Sequence, residues 1–166
     1  MQLLKKIVTS GLMFLGLSSG FMVSALALDD IDWIKSSAEQ GELDSQVMLG
    51  ARYKLGSNGV SQDYVKSTYW YKKAADQGDG ISQYSLGYAY LEGQGVRQDY
   101  SKAIYWFKKS SDQNIPEAQF DLGRIYSQGL GVHQSQSQAK EWYGKACDNG
   151  GQYGCEAYKR LNEQGH

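Results

Sequence analysis

A fixed internal period constrains this chain more than any local motif. Trp70, Trp106 and Trp142 stand 36 residues apart, as do Gly59, Gly95 and Gly131, each followed by valine. The pairs Leu49-Gly50, Leu86-Gly87 and Leu122-Gly123 recur at 37 and 36 residues. The extra residue falls in the first loop, where "YKLGSNGV" stands for "YLEGQGV" and "YSQGLGV". Three coincident series at one period describe an array of like units, in which each unit contacts mainly its neighbours.

Each unit reads as two helices. In the second unit Ser82, Leu86 and Tyr90 fall on one helical face. Glu92-Gly93-Gln94-Gly95 then breaks the helix, because glycine supplies the positive φ that ends helices. Asp99 is positioned to cap the next helix, which carries Ala103, Trp106 and Phe107 and stops near Gln113-Asn114. Asp63 and Ser135 hold the same place in the flanking units. The expected helices are 44–55, 63–76, 80–91, 99–112, 116–127, 135–148 and 152–163. A leading stretch, "IDWIKSSAEQG", matches "TYWYKKAADQG" and sets Trp33 opposite Trp70. It reads as a second helix without its partner, so the array is expected to be capped by a half-unit at each end.

Some register positions admit only certain residues. Ser45, Ser82, Ala118 and Gly154 share one position and are all small; Gly50, Gly87 and Gly123 share another. A glycine inside a helix costs about 0.5–1 kcal/mol relative to alanine, so three at one position imply a packing reason. Small residues there would let helices approach closely, with Tyr53, Tyr90 and Tyr126 filling the space between layers.

The first residues follow a different logic. Lys5 and Lys6 are the only charges before Asp29, Ile7 to Val23 is mostly apolar, and Ala25-Leu26-Ala27 offers small residues where a signal peptidase reads. This pattern describes a secretory signal peptide over 1–27, cleaved after Ala27. A retained anchor is the alternative, but Ser and Gly dilute the apolar run. No cysteine stands near the cleavage site, so a lipid anchor is not expected. Losing Lys5 and Lys6 takes the Lys and Arg count from 17 to 15, against 18 Asp and Glu. With no basic cluster, neither nucleic acid nor anionic lipid is an expected partner, and no insertion into the membrane is expected after cleavage.

The units resemble Sel-1-like repeats, relatives of the tetratricopeptide repeats. "LGYAYLEGQGVRQDYSKAIYWFKKSSDQ" follows that pattern nearly throughout. Departures are few: Ser45 and Ser82 replace the usual alanine, Ser57-Asn58 lengthens the first loop, and Gln138-Ala139 stands for Lys-Ala. The resemblance implies an all-α fold, a right-handed α/α superhelical solenoid of about three helix-pair repeats with half-repeats at each end. The division would be an N-terminal cap at 28–43, repeats at 44–79, 80–115 and 116–151, and a C-terminal cap at 152–166. It also implies a surface that binds proteins or peptides rather than one particular reaction.

Cys147 and Cys155, the only cysteines, flank the glycine turn Asn149-Gly150-Gly151. On the residues alone a metal site, a redox pair and a structural staple all stay open. The cysteine-rich branch of Sel-1-like proteins places a C-x7-C pair at this junction and closes it, so the resemblance implies a Cys147–Cys155 disulfide. In the repeat register Cys147 matches Ala75 and Ser111, and Cys155 matches Gln46, Gln83 and Gln119.

Catalysis has little to stand on. His133 and His166 are the only histidines and lack the spacing of a metal-ligand pair, so no catalytic residue, metal or cofactor is expected. Ser137 and Lys140 fit S-x-x-K, the nucleophile signature of serine β-lactamases, and the cysteine-rich relatives have been linked to penicillin binding and weak hydrolysis. The S-D-N and K-T-G companions are absent. A penicillin-binding or weak β-lactamase-type hydrolase of the cell envelope is therefore the alternative reading.

Positions that the repeat leaves free carry more information. Opposite the small-residue face, the first helices present Met48 and Ala51, then Ser85 and Tyr88, then Asp121 and Arg124, with Val47, Tyr84 and Phe120 adjoining. First helices line the inner side of such arrays. Tyr84, Tyr88, Phe120, Asp121 and Arg124 form a candidate partner-binding set of the residue types enriched at binding hot spots, unless Tyr84 and Phe120 are simply core. The expected protein is thus an exported, monomeric, periplasmic (or else secreted) scaffold for a protein or peptide partner. An immunity or inhibitor protein that neutralises an effector is one form of it.

Overall fold

In the computed structural model of the chain, residues 31–165 are described. Segment 1–27, expected from the sequence to be a signal peptide, and His166 lie outside the described residues. Eight helices and no strand occur among those described: α1 (31–39), α2 (Leu43–Leu55), α3 (Tyr64–Asp76), α4 (Gly80–Glu92), α5 (Tyr100–Ser111), α6 (Pro116–Gln128), α7 (Gln136–Asp148) and α8 (Gln152–Glu163). Contacts run almost entirely between helices consecutive in the chain, with a smaller contact between α6 and α8, as expected of a one-dimensional helical array.

The helix ends follow local chemistry. Asp63, Asp99 and Ser135 cap α3, α5 and α7, each accepting from the backbone N–H three residues on, at 3.0, 3.0 and 3.3 Å. They sit outside the helices they cap, which is why α3, α5 and α7 start one residue later than the periodicity predicts. Gly56, Gly93 and Gly129 end α2, α4 and α6 in the left-handed conformation, with φ of 68°, 71° and 71°.

The recurrent helical glycines have the packing reason the sequence implies. A Cβ on Gly50, Gly87 or Gly123 would lie 2.7, 2.7 or 2.5 Å from the ring of Tyr71, Phe107 or Tyr143. These three aromatics also share one register position, directly after the tryptophans, and each is buried. In every unit the second helix thus lays an aromatic ring on bare backbone of the first. The tryptophans pack toward the preceding unit: Trp70 clusters with Ile34, Ala38 and Leu49, and Trp106 with Ala75 and Leu86. Trp33 holds the same register, yet it is 64% exposed, because among the described residues no helix precedes α1 to cover it.

A second periodic device joins successive units. The buried Gln46, Gln83 and Gln119 donate through Nε2 to the carbonyls of Ala38, Ala75 and Ser111, at 3.1, 3.3 and 3.3 Å. Each Oε1 accepts from an amide at the end of its own unit's second helix: Gln77 at 2.8 Å, Gln113 at 2.9 Å and Asn149 at 3.0 Å. A buried amide must find such partners, and here they fix the angle at which one unit meets the next. At the last junction the equivalent positions are Cys147 and Cys155, joined as a disulfide with Cα atoms 4.5 Å apart. A covalent bond therefore replaces the glutamine-to-carbonyl hydrogen bond at the same step of the register.

α8 differs from the first helices it resembles. Tyr158, Lys159 and Asn162 stand where α6 has Leu122, Gly123 and Tyr126, and all three are exposed. A lysine thus stands where α2, α4 and α6 have the seam glycine.

Gly87→Ala tests the seam. Alanine would gain about 0.5–1 kcal/mol in helix propensity, but overpacking against Phe107 costs about 1–3 kcal/mol. Urea unfolding should show a net loss of about 1–2 kcal/mol, and a neutral or stabilised variant would contradict this packing.

Candidate functional site

Tyr84, Tyr88, Phe120, Asp121 and Arg124, singled out as positions the repeat leaves free, line one groove of about 430 Å³. α4 supplies the two tyrosines and α6 supplies Phe120, Asp121 and Arg124, one helical turn or less apart. The opposite wall is the turn Gly150-Gly151 with the first residues of α8, Gln152, Tyr153 and Gly154. Tyr84 and Tyr88 also border an adjoining cavity of about 410 Å³ with Lys54, Leu55 and Tyr64. These two rings form a shared ridge between the cavities.

Tyr84 and Phe120 are neither simply core nor simply surface. The Tyr84 ring lies 5.8 Å from Phe107, and Phe120 lies 5.5 Å from Tyr143, between ring centroids. Each therefore rests on the aromatic that fills its unit's glycine seam and stays half-buried, with the rest of its surface open to the groove. Phe120 also meets the exposed Tyr153 at 6.1 Å, and Tyr84 meets Tyr88 at 6.4 Å. The core thus holds the groove's rings in place.

Beneath them lies a buried polar unit. Asp121 is 4% exposed and pairs with Arg124 Nη1 at 2.7 Å, while the Tyr84 hydroxyl donates to the same carboxylate. Burial pushes the Asp121 carboxyl above its usual range, against the pull of Arg124 and Tyr84. Burial likewise raises Tyr84, and the Asp121 charge adds to the shift. With two partners on its carboxylate, Asp121 orients both Tyr84 and the partly exposed Arg124. The arrangement suits recognition: fixed rings, a fixed guanidinium and a concave wall.

Three contributors were not marked by the periodicity. Glu117 joins the lining from the first turn of α6, and the Gly150-Gly151 turn and Tyr153 line the groove because α8 folds back against α6. The turn lies between the two cysteines, so the disulfide fixes the groove wall as well as the last helix.

The alternative pair lies elsewhere. Ser137 is exposed in the first turn of α7, with its Oγ 3.2 Å from Ser135 Oγ, and the Lys140 ammonium lies over the Tyr158 ring at 5.9 Å. Both line a surface cavity of about 490 Å³ between α7 and α8. His133 is exposed in its loop. Among the described residues no cluster of three or more His, Cys, Asp or Glu could hold a metal, and no helix is long and apolar enough to cross a membrane.

Paired helices stacked through glycine seams, with a groove on the first helices, define an α/α repeat protein of the kind that serves protein interaction. The Sel1 repeat pattern matches three times, at 43–79, 80–115 and 116–151, and the chain belongs to this family. It is similar to c5321, a protective antigen of uropathogenic Escherichia coli strains with an SLR fold, at 36% identity and a TM-score of 0.76. That match covers 81% of this chain and 28% of the antigen, so this chain spans about a quarter of that protein. A Sel1 repeat protein from Oxalobacter formigenes matches at 35% identity and a TM-score of 0.66, over 81% of this chain and 98% of its own. Helicobacter pylori cysteine rich protein B matches at 25% identity and a TM-score of 0.59, over 80% and 95%. Among curated protein sequences none matches.

Two outcomes follow. Reduction of Cys147–Cys155 should lower stability by about 2–3 kcal/mol on the chain-entropy model, read as a fall in melting temperature with dithiothreitol. An unchanged melting temperature would deny the disulfide this role. For Asp121, the raised folded-state pKa means its contribution is fully present below the unfolded value, near 3.8, and is lost as pH rises through the folded value. The stability difference between Asp121→Asn and wild type, measured by urea unfolding, should therefore shift in favour of the variant as pH rises from below the unfolded value through the folded one.

Proposed function

We propose that this chain is an exported, non-catalytic scaffold that holds a protein or peptide partner in the groove between α4, α6 and the α8 turn. One observation carries the reading. The positions identical or small in every unit are spent on packing, whereas Tyr84, Tyr88, Phe120, Asp121 and Arg124, at positions that vary between units, meet around one cavity. The family's general use in protein interaction supports it. Export rests on the basic, apolar and A-x-A pattern of 1–27 and on a disulfide, a bond that persists in oxidising compartments. The periplasm is the compartment proposed, with secretion second. The working unit is a monomer with caps at 28–43 and 152–166 around repeats 44–79, 80–115 and 116–151. Neutralisation of an effector, as by an immunity protein, is one specific form of this reading, and an envelope scaffold is the other.

The mature chain, immobilised, should retain an envelope partner that a Tyr88→Ala/Phe120→Ala double variant releases, with unchanged helical content by circular dichroism. Retention of the same partner by both proteins would place binding elsewhere. In the same preparation nitrocefin should not be hydrolysed. Turnover that disappears in Ser137→Ala would replace this reading with the hydrolase.

A further inference from the structure

The groove's charges are not balanced. Asp121 and Arg124 neutralise each other through their 2.7 Å contact, which leaves the exposed Glu117 as an acid surplus on the lining. Glu92, at the end of α4, adds to the same field: beyond the effect of burial, it raises the Asp121 carboxyl further. Glu117 acts likewise on the Tyr84 hydroxyl, after burial and Asp121. Near this surplus the Phe120 and Tyr153 rings meet, with centroids 6.1 Å apart at 45°, and Tyr153 is 73% exposed. The Tyr88 face is already occupied by Lys54 at 5.4 Å, so the exposed Tyr153 ring near Glu117 is the aromatic surface left for a ligand. Aromatic faces attract cations through their quadrupole, and a nearby carboxylate reinforces that attraction.

We propose that the groove selects a partner segment that lays an arginine or lysine side chain on the exposed ring of Tyr153, beside Phe120, with its charge against Glu117. This rests on the groove being the partner site, and it names the chemistry the groove accepts. The alkyl stem of such a side chain would cover the rings while the charged head stays at the rim, as long cationic side chains do on apolar surfaces. Arginine fits better than lysine, because its planar head stacks on a ring and still donates to a carboxylate.

The test is calorimetric titration of the mature chain with three matched peptides, acetyl-Phe-Arg-Phe-amide, acetyl-Phe-Leu-Phe-amide and acetyl-Phe-Glu-Phe-amide. The arginine peptide should bind roughly tenfold tighter than the leucine peptide, and the glutamate peptide most weakly. The arginine advantage should shrink with added salt and fall to about twofold in Glu117→Gln, a change at an exposed position. Tyr153→Ala should weaken the arginine peptide most. Equal affinity for all three, or preference for glutamate, would overturn the cation preference while leaving the groove a peptide site. Binding of none of them would overturn both.

Discussion

The distance of closest approach between the two helices of one unit governs the rest of this molecule. Tyr71, Phe107 and Tyr143 lie flat on Gly50, Gly87 and Gly123, where a single methyl group would collide with the ring. A protein interior packs as densely as an organic crystal, so a contact repeated three times fixes the shape of each unit with little latitude. The glutamine ladder then sets unit against unit through hydrogen bonds that a buried amide cannot forgo. Curvature, and the existence of an inner face at all, follow from these two spacings.

The groove is a by-product of the same contacts put to use. Tyr84 and Phe120 are held from behind by the seam aromatics Phe107 and Tyr143, so their outer surfaces are offered in fixed positions. Little side-chain freedom would remain to be lost on binding the proposed partner there, which would favour affinity. Asp121 adds a buried carboxylate that holds Tyr84 and Arg124 together, and such a unit favours one arrangement over others. The disulfide stands at the one junction where the glutamine bond is missing, and it closes the loop that forms the groove's far wall. One covalent link thus holds both α8, which among the described residues packs chiefly against α6 and α7, and the wall it carries.

Much of this was legible in the chain because a repeat reports its own packing rules. Three glycines at one register position announce a close contact, and three capping residues announce helix starts; the structure places both where the period puts them. The partner of each glycine was visible too, as the aromatic after each tryptophan, but the period alone does not say which of two adjacent rings turns inward. The glutamines recur as regularly, yet their polarity conceals burial; the signal that could have exposed them is that Cys155, a residue that commonly prefers the interior, takes their place. Trp33 shows the opposite error: it shares the register of Trp70 but not its surroundings, since burial depends on a neighbour and not on the residue.

By itself the sequence determined the family, the helices to within about a residue at their ends, the packing residues and the set of free positions, because these depend on local propensity and on a period that needs no third dimension. Only the tertiary structure decided that the free positions converge on one cavity, that Glu117, the Gly150-Gly151 turn and Tyr153 complete it, and that Asp121 is buried beneath it. Those facts depend on how α8 returns against α6 and on how far each unit rotates from the last. Such rotations sum small packing differences over the whole array, and no single segment of sequence contains that sum.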